Sequence, residues 1–95
     1  MKSEEHIPHV HPGKVLQDEL DEIGVTQTAL AGHIGVLPKT VNEICRGKRG
    51  ISAEMAILLS QALGASPTFW MNLQSNWELS EASGNRYKQL ELIAA

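Results

Sequence analysis

The stretch VTQTALAGHIGVLPKTVNEICRGKRG, residues 25–50, decides the fold that this sequence can adopt. Its first half predicts a short helix, because Thr26 is a favoured N-cap residue and Val25 and Leu30 flank the cap as a hydrophobic staple. Apolar side chains then recur at helical spacing as far as Gly35, which suits the left-handed residue that ends a helix. We therefore expect a short helix that stops at a tight turn.

A second helix is predicted after the turn, and its two faces differ in chemistry. Pro38 takes the favoured first position of a helix, and Gly47 marks its end. One face is an apolar stripe that must point inward, formed by Val41, Ile44 and Cys45. The opposite face carries groups that hydrogen-bond outward: Lys39, Thr40, Asn42, Glu43 and Arg46. Two cations, Lys48 and Arg49, come directly after the helix.

Two short helices joined in this way match a helix-turn-helix, in which the second helix enters the DNA major groove. That groove is about 12 Å wide and accepts one helix. We predict that base edges are read by Lys39, Thr40, Asn42 and Glu43. Asn suits adenine, Lys suits guanine, and Glu can accept from the cytosine amino group. Phosphate contacts at the ends of the motif are predicted for Gln27, Arg46, Lys48 and Arg49.

The charge of the chain is unevenly distributed. The 95 residues suit one domain, and a net charge of −3 argues against a broadly basic surface that coats nucleic acid. Between Ile23 and Ala53, however, four cations stand against Glu43 alone. Acids cluster just upstream, at Asp18, Glu19, Asp21 and Glu22. This polarity would orient a DNA-binding protein and keep its non-specific binding weak.

Three further helices are predicted around the motif, which gives an all-α fold with five helices. The first runs from Pro12 to Ile23, with an inward stripe of Leu16, Leu20 and Ile23. Ser52 caps the fourth, whose stripe is Met55, Leu58, Leu59, Ala62 and Leu63. Ser66 and Pro67 open the fifth. We divide the chain into a flexible arm at 1–11, the domain at 12–82 and a tail at 83–95, where the sequence does not decide between a short helix and a frayed end.

The fifth helix carries most of the aromatic residues. Phe69, Leu73 and Trp77 follow at spacings of four, and we expect Phe69 and Leu73 to pack in the core. A chain this small cannot easily bury two tryptophans by itself. Because large aromatic side chains are enriched at interfaces, we expect a subunit contact of a homodimer at Trp70 and Trp77.

Other classes of function have weaker support in the sequence. His6, His9 and His11 suggest a metal site, but a polar tail does not fix a tetrahedral shell, so no metal or cofactor is expected. Cys45 with His33 could form a nucleophile and base, yet Cys45 lies on the apolar stripe, so we expect no enzyme. A pure protein-interaction module remains an alternative, which the acidic net charge favours mildly.

The compartment is inferred from what the sequence lacks. The lone cysteine excludes an internal disulfide, and no signal peptide or membrane-length apolar run is visible. We therefore expect a cytoplasmic protein without a membrane partner.

Four segments resemble a known family: HPGKVLQDEL at residues 11–20, TQTALAGHIGV at 26–36, NEICRGKRGIS at 42–52 and SPTFWMNLQSNWEL at 66–79. They are similar to HigA-type antitoxins, a branch of the Xre/Cro repressor-like helix-turn-helix proteins. The resemblance implies a five-helix, lambda-repressor-like domain that dimerises on a palindromic operator in its own promoter. It also implies a partner toxin, usually a ribonuclease that cleaves messenger RNA, which the antitoxin blocks.

Two positions depart from this family. Many relatives have Ser or Thr where this chain has Leu37, so one capping or phosphate-binding hydroxyl is missing. Glu43 is acidic in a helix aimed at DNA, where it would repel a phosphate. The sequence also does not separate an antitoxin from a stand-alone Xre-type regulator that has no toxin partner.

Overall fold

Five α-helices make up the fold in the computed structural model, which describes residues 10–83 and 90–93. They are α1 Pro12–Ile23, α2 Gln27–Ile34, α3 Pro38–Cys45, α4 Ala53–Leu63 and α5 Pro67–Ala82. Within those residues there is no β-strand, so the predicted all-α fold is confirmed. Most of the predicted arm and tail, including His6, His9 and Tyr87, lies outside the described residues. None of the five helices has the length and apolar character needed to cross a membrane.

The helix starts follow the capping residues in the sequence. The hydroxyl oxygen of Thr26 accepts from the backbone N–H of Ala29 at 3.0 Å, and Ser52 and Ser66 cap α4 and α5 in the same way. Leu37, the N-cap residue of α3, makes no side-chain cap hydrogen bond. The start of α3 thus depends on Pro38 and on the turn before it rather than on a cap.

His11 is the N-cap of α1, although the sequence placed it in the arm. Its Nδ1 accepts from the backbone N–H of Gly13 at 2.9 Å. The same ring meets Trp77 of α5 edge-on, with ring centroids 5.3 Å apart. The folded domain therefore includes His11, because this imidazole closes the first turn of α1 and packs against α5.

The core lies where all five helices meet. Its buried apolar residues are Leu16, Leu20, Leu30, Ala31, Val41, Ile44, Ile51, Met55, Ala56, Leu59 and Trp70. Two expectations were wrong: Ile23 is 48% exposed and Phe69 is 42% exposed. Ile23 occupies the last position of α1, beyond the packed turns. The inward face of α5 runs through Trp70 and Gln74, one position later than the stripe predicted from Phe69.

Gly13 allows α1 to touch the end of α3. A Cβ atom at this position would overlap the backbone carbonyl oxygen of Ile44. Only glycine, which has no Cβ, permits such a close approach of two backbones. The first turn of α1 therefore supports the C-terminal end of the helix that carries the predicted DNA contacts.

Candidate nucleic-acid interface

The faces of α3 are those that its sequence predicted. Val41 and Ile44 are fully buried and attach the helix to the core. On the other side, the Lys39 side chain is 78% exposed, while Thr40 and Asn42 are half-buried. α3 thus presents a cation, a hydroxyl and an amide on its outer side.

Asn42 belongs to a chain of side-chain hydrogen bonds that links three helices. Its Nδ2 donates to Oε1 of Gln27 at 3.1 Å. Nε2 of Gln27 in turn donates to Oε1 of Gln17 at 2.6 Å, and Nε2 of Gln17 donates to Oδ1 of Asp21 at 2.8 Å. A predicted base-reading residue and a predicted phosphate contact are therefore in direct contact. We call the four residues the amide chain.

Glu43 is paired with cations. Its Oε1 accepts from Nη2 and Nε of Arg49 at 2.7 and 3.0 Å, and its Oε2 lies 3.9 Å from Nζ of Lys39. The hydrogen bond from Arg49 is the main reason that the pKa of Glu43 is lowered, with the nearby positive charges adding to it. Glu43 is therefore ionised and engages Arg49, rather than pointing alone toward solvent.

The loop after α3 carries the other cations, and a hydrogen bond to α5 holds its far end. Arg46, Lys48 and Arg49 are exposed. At the far end of the loop, the backbone N–H of Ile51 donates to Oε1 of Gln74 at 2.7 Å, and Gln74 is only 8% exposed. Sequence reasoning missed Gln74, because the stripe predicted from Phe69 and Leu73 left this residue outside the inward face of α5.

The two tryptophans have different environments. Trp70 is 1% exposed and packs in the core of its own chain, so it has no surface to offer to a second subunit. The expected subunit contact at Trp70 is therefore wrong, because this ring is buried in the hydrophobic core of its own chain. Trp77 is half-buried against His11 and lines a surface cavity beside Cys45 and Arg46.

Cys45 and His33 are not brought together. Cys45 lines the cavity near Trp77, whereas His33 lines a separate apolar groove with Val25 and Leu30. Burial is the main cause that raises the pKa of the Cys45 thiol to about 11, so the thiol is a weak nucleophile at neutral pH. Across residues 10–83 and 90–93, no three His, Cys, Asp or Glu side chains converge on a possible metal position.

The chain is similar in sequence to known helix-turn-helix proteins. The helix-turn-helix family HTH_3 matches residues 16–70. An HTH-type transcriptional regulator of Escherichia coli, YddM, is 40% identical over 78% of this chain and 79% of its own length. Antitoxin HigA-1 of Vibrio cholerae is 38% identical over 84% of this chain and 75% of its own.

A solved structure extends the likeness to three dimensions. Pseudomonas aeruginosa antitoxin HigA with the higBA promoter is 40% identical, with a TM-score of 0.79 over 88% of this chain and all of that one. The family match covers more than half of the chain, and the relatives named above are 38–40% identical to it. The chain belongs to the HTH_3 helix-turn-helix family, and HigA antitoxins are among its relatives.

Proposed function

We propose that this protein is a dimeric repressor that binds an operator in its own promoter and also neutralises a ribonuclease toxin. The single observation that carries the DNA-binding part is the outer face of α3. Lys39, Thr40 and Asn42 lie on it, and an exposed basic loop follows directly at its C-terminal end. The core side of the same helix is fully buried, so the helix is held firmly enough to read a groove.

Direct base contacts are assigned to the exposed end of this face. Lys39 is 78% exposed and only loosely paired with Glu43, at 3.9 Å, so it can reach guanine. Asn42 retains a donor and an acceptor for adenine after its bond to Gln27. Thr40 would touch a thymine methyl group or a phosphate. We propose that Glu43 positions Arg49 in the unbound protein, and that cytosine reading by Glu43 would require Arg49 to leave for a phosphate.

Phosphate binding is assigned to Gln27, Arg46, Lys48 and Arg49. Each of the three cations is exposed and lies at the C-terminal end of α3 or in the loop that follows it. Gln27 is the first residue of α2 and can add its remaining amide N–H to those of the helix N-terminus. Because Glu43 already compensates part of this charge, we expect weak binding to unrelated DNA.

We propose that two copies bind together through α5. This helix exposes Phe69 near its start and Leu79 near its end, and Trp77 keeps part of its surface accessible. Exposed aromatic and aliphatic side chains of this kind suit an interface between subunits. In such a dimer the two reading helices would lie about 34–36 Å apart, one turn of DNA, on a palindromic operator.

The proposal of a toxin partner is supported by the relatives that are named antitoxins. A repressor of its own operon would act in the cytoplasm, where such a toxin meets its messenger RNA substrate. The second candidate is a stand-alone regulator, which is favoured by the relative described only as a transcriptional regulator. An adjacent reading frame that is toxic when expressed alone, and harmless when co-expressed with this chain, would support the antitoxin.

DNA binding is tested by footprinting the protein on the DNA upstream of its own gene. We expect Asn42→Ala to cost about 1–3 kcal/mol and to relax the sequence preference at one base pair. Arg49→Ala should weaken binding to all sequences and reduce the salt slope by about one. The absence of a footprint, or an unchanged salt slope in Arg49→Ala, would remove the corresponding assignment.

A further inference from the structure

The amide chain has a direction that one residue imposes. The carboxylate of Asp21 can only accept hydrogen bonds, so the Gln17 amide must turn its NH₂ group toward Asp21. The oxygen of Gln17 then faces Gln27 and accepts from its Nε2. The oxygen of Gln27 is left to accept from Asn42, which therefore points its NH₂ group inward along the chain.

Reversing any one amide would break this order. If Asn42 were flipped, its oxygen would face the oxygen of Gln27, and two acceptors would oppose each other at hydrogen-bond distance. The same conflict would arise between Gln27 and Gln17. The bonds therefore fix which atoms of Asn42 are presented outward: its oxygen and its second N–H.

These outward atoms are those that a bidentate contact to adenine needs, since adenine offers one acceptor and one donor in the major groove. We propose that Gln17, in α1, is a positioning residue for sequence reading. It acts through Gln27 to hold the Asn42 amide in the orientation that recognises adenine. This inference rests on the proposed DNA-binding function and adds a determinant of specificity outside the helix-turn-helix itself.

A positioning role differs in its consequences from a phosphate contact and from general support of the fold. A lost phosphate contact weakens binding to every sequence and lowers the salt slope. A loss of fold stability lowers the melting temperature. A freed Asn42 amide instead reduces discrimination at one base pair, with the salt slope unchanged.

The experiment compares Gln17→Met with the double variant Gln17→Glu/Asp21→Asn, which exchanges the amide and the carboxylate. Methionine has a similar length but supplies only a weak acceptor, whereas the glutamate of the double variant keeps an oxygen acceptor for Nε2 of Gln27 and accepts from the new asparagine amide without a change of net charge. Gln61→Met, at an exposed position of α4, is the matched control for the same substitution. The probes are duplexes from the region upstream of the gene, with each base pair of the footprint replaced in turn. Affinity, salt slope and melting temperature are measured for each variant.

We expect Gln17→Met to lose selectivity at a single base pair, the one that Asn42→Ala also affects. A bidentate contact discriminates by about 5- to 150-fold, and at least about fivefold of this should disappear. The double variant Gln17→Glu/Asp21→Asn should retain the wild-type selectivity, and Gln61→Met should match the wild type.

Wild-type selectivity in Gln17→Met, with or without a reduced salt slope, would overturn the inference alone. A loss of selectivity that the double variant shares would also overturn it, because the acceptor would then be irrelevant. A wild-type chain that binds every duplex equally, or none, would instead remove the proposed function and this inference with it.

Discussion

Replacing Gln74 with leucine should destabilise the protein, because this side chain holds the end of the basic loop. In the native fold its Oε1 accepts from the N–H of Ile51 at 2.7 Å, and Gln74 is 8% exposed. Leucine has nearly the same volume but no acceptor, so the N–H of Ile51 would be left buried and unpaired. Such an orphaned donor costs about 1–3 kcal/mol.

The second hydrogen bond of the Gln74 amide contributes less to the free energy of unfolding. Its Nε2 donates to Oε2 of Glu78 at 2.9 Å, but Glu78 is exposed and its carboxylate can turn to water. The expected loss therefore stays within about 1–3 kcal/mol. For a domain of this size each kcal/mol lowers the melting temperature by about 4–8 °C.

Urea denaturation followed by circular dichroism measures this loss, and Gln61→Leu, at an exposed position, is the control. We also expect faster hydrogen exchange at the amide of Ile51, since the bond to Gln74 protects this N–H in the native fold. A change in unfolding free energy below about 0.5 kcal/mol, with Ile51 exchange unaltered, would show that the loop does not depend on this bond.

Two further predictions concern the first turn of α1. Partial burial lowers the pKa of His11 below 6.5, so the unfolded chain takes up a proton before the folded one as the pH falls. The contribution of His11 to stability is then complete above pH 6.5 and declines as the pH falls toward the folded-state pKa. Between pH 8 and 5, the melting temperature should therefore fall more with decreasing pH for the wild type than for His11→Asn, a cap that does not titrate. An equal pH dependence in the two proteins would contradict this prediction. Gly13→Ala should cost about 1–3 kcal/mol by forcing α1 away from Ile44, whereas Gly32→Ala, where a Cβ meets open space, should be neutral or stabilising in the same denaturation assay.

The helices of this fold were predictable because their signals are local. Thr26, Ser52 and Ser66 cap helices within three residues of themselves, and each does so in the structure. His11 escaped the prediction because an imidazole is not among the usual capping side chains. The inward face of α5 was misplaced by one residue, since spacings of four at Phe69, Leu73 and Trp77 also drift around a helix with 3.6 residues per turn.

The positions on α3 were predictable, but their partners were not. An apolar stripe at Val41 and Ile44 is enough to say which side of the helix faces out. The bond between Glu43 and Arg49 spans a loop, and the bond between Gln74 and Ile51 joins residues 23 apart in sequence. Contacts of this range depend on how the elements pack, which no local pattern specifies.

The raised pKa of Cys45 has a consequence for how the protein tolerates oxidants. With a pKa of about 11, roughly one thiol in ten thousand is deprotonated at pH 7. Peroxides and disulfides react with the thiolate, so this sulfur is a poor target even though it belongs to the last residue of α3. The proposed DNA binding should therefore be insensitive to oxidants at concentrations that modify more acidic thiols.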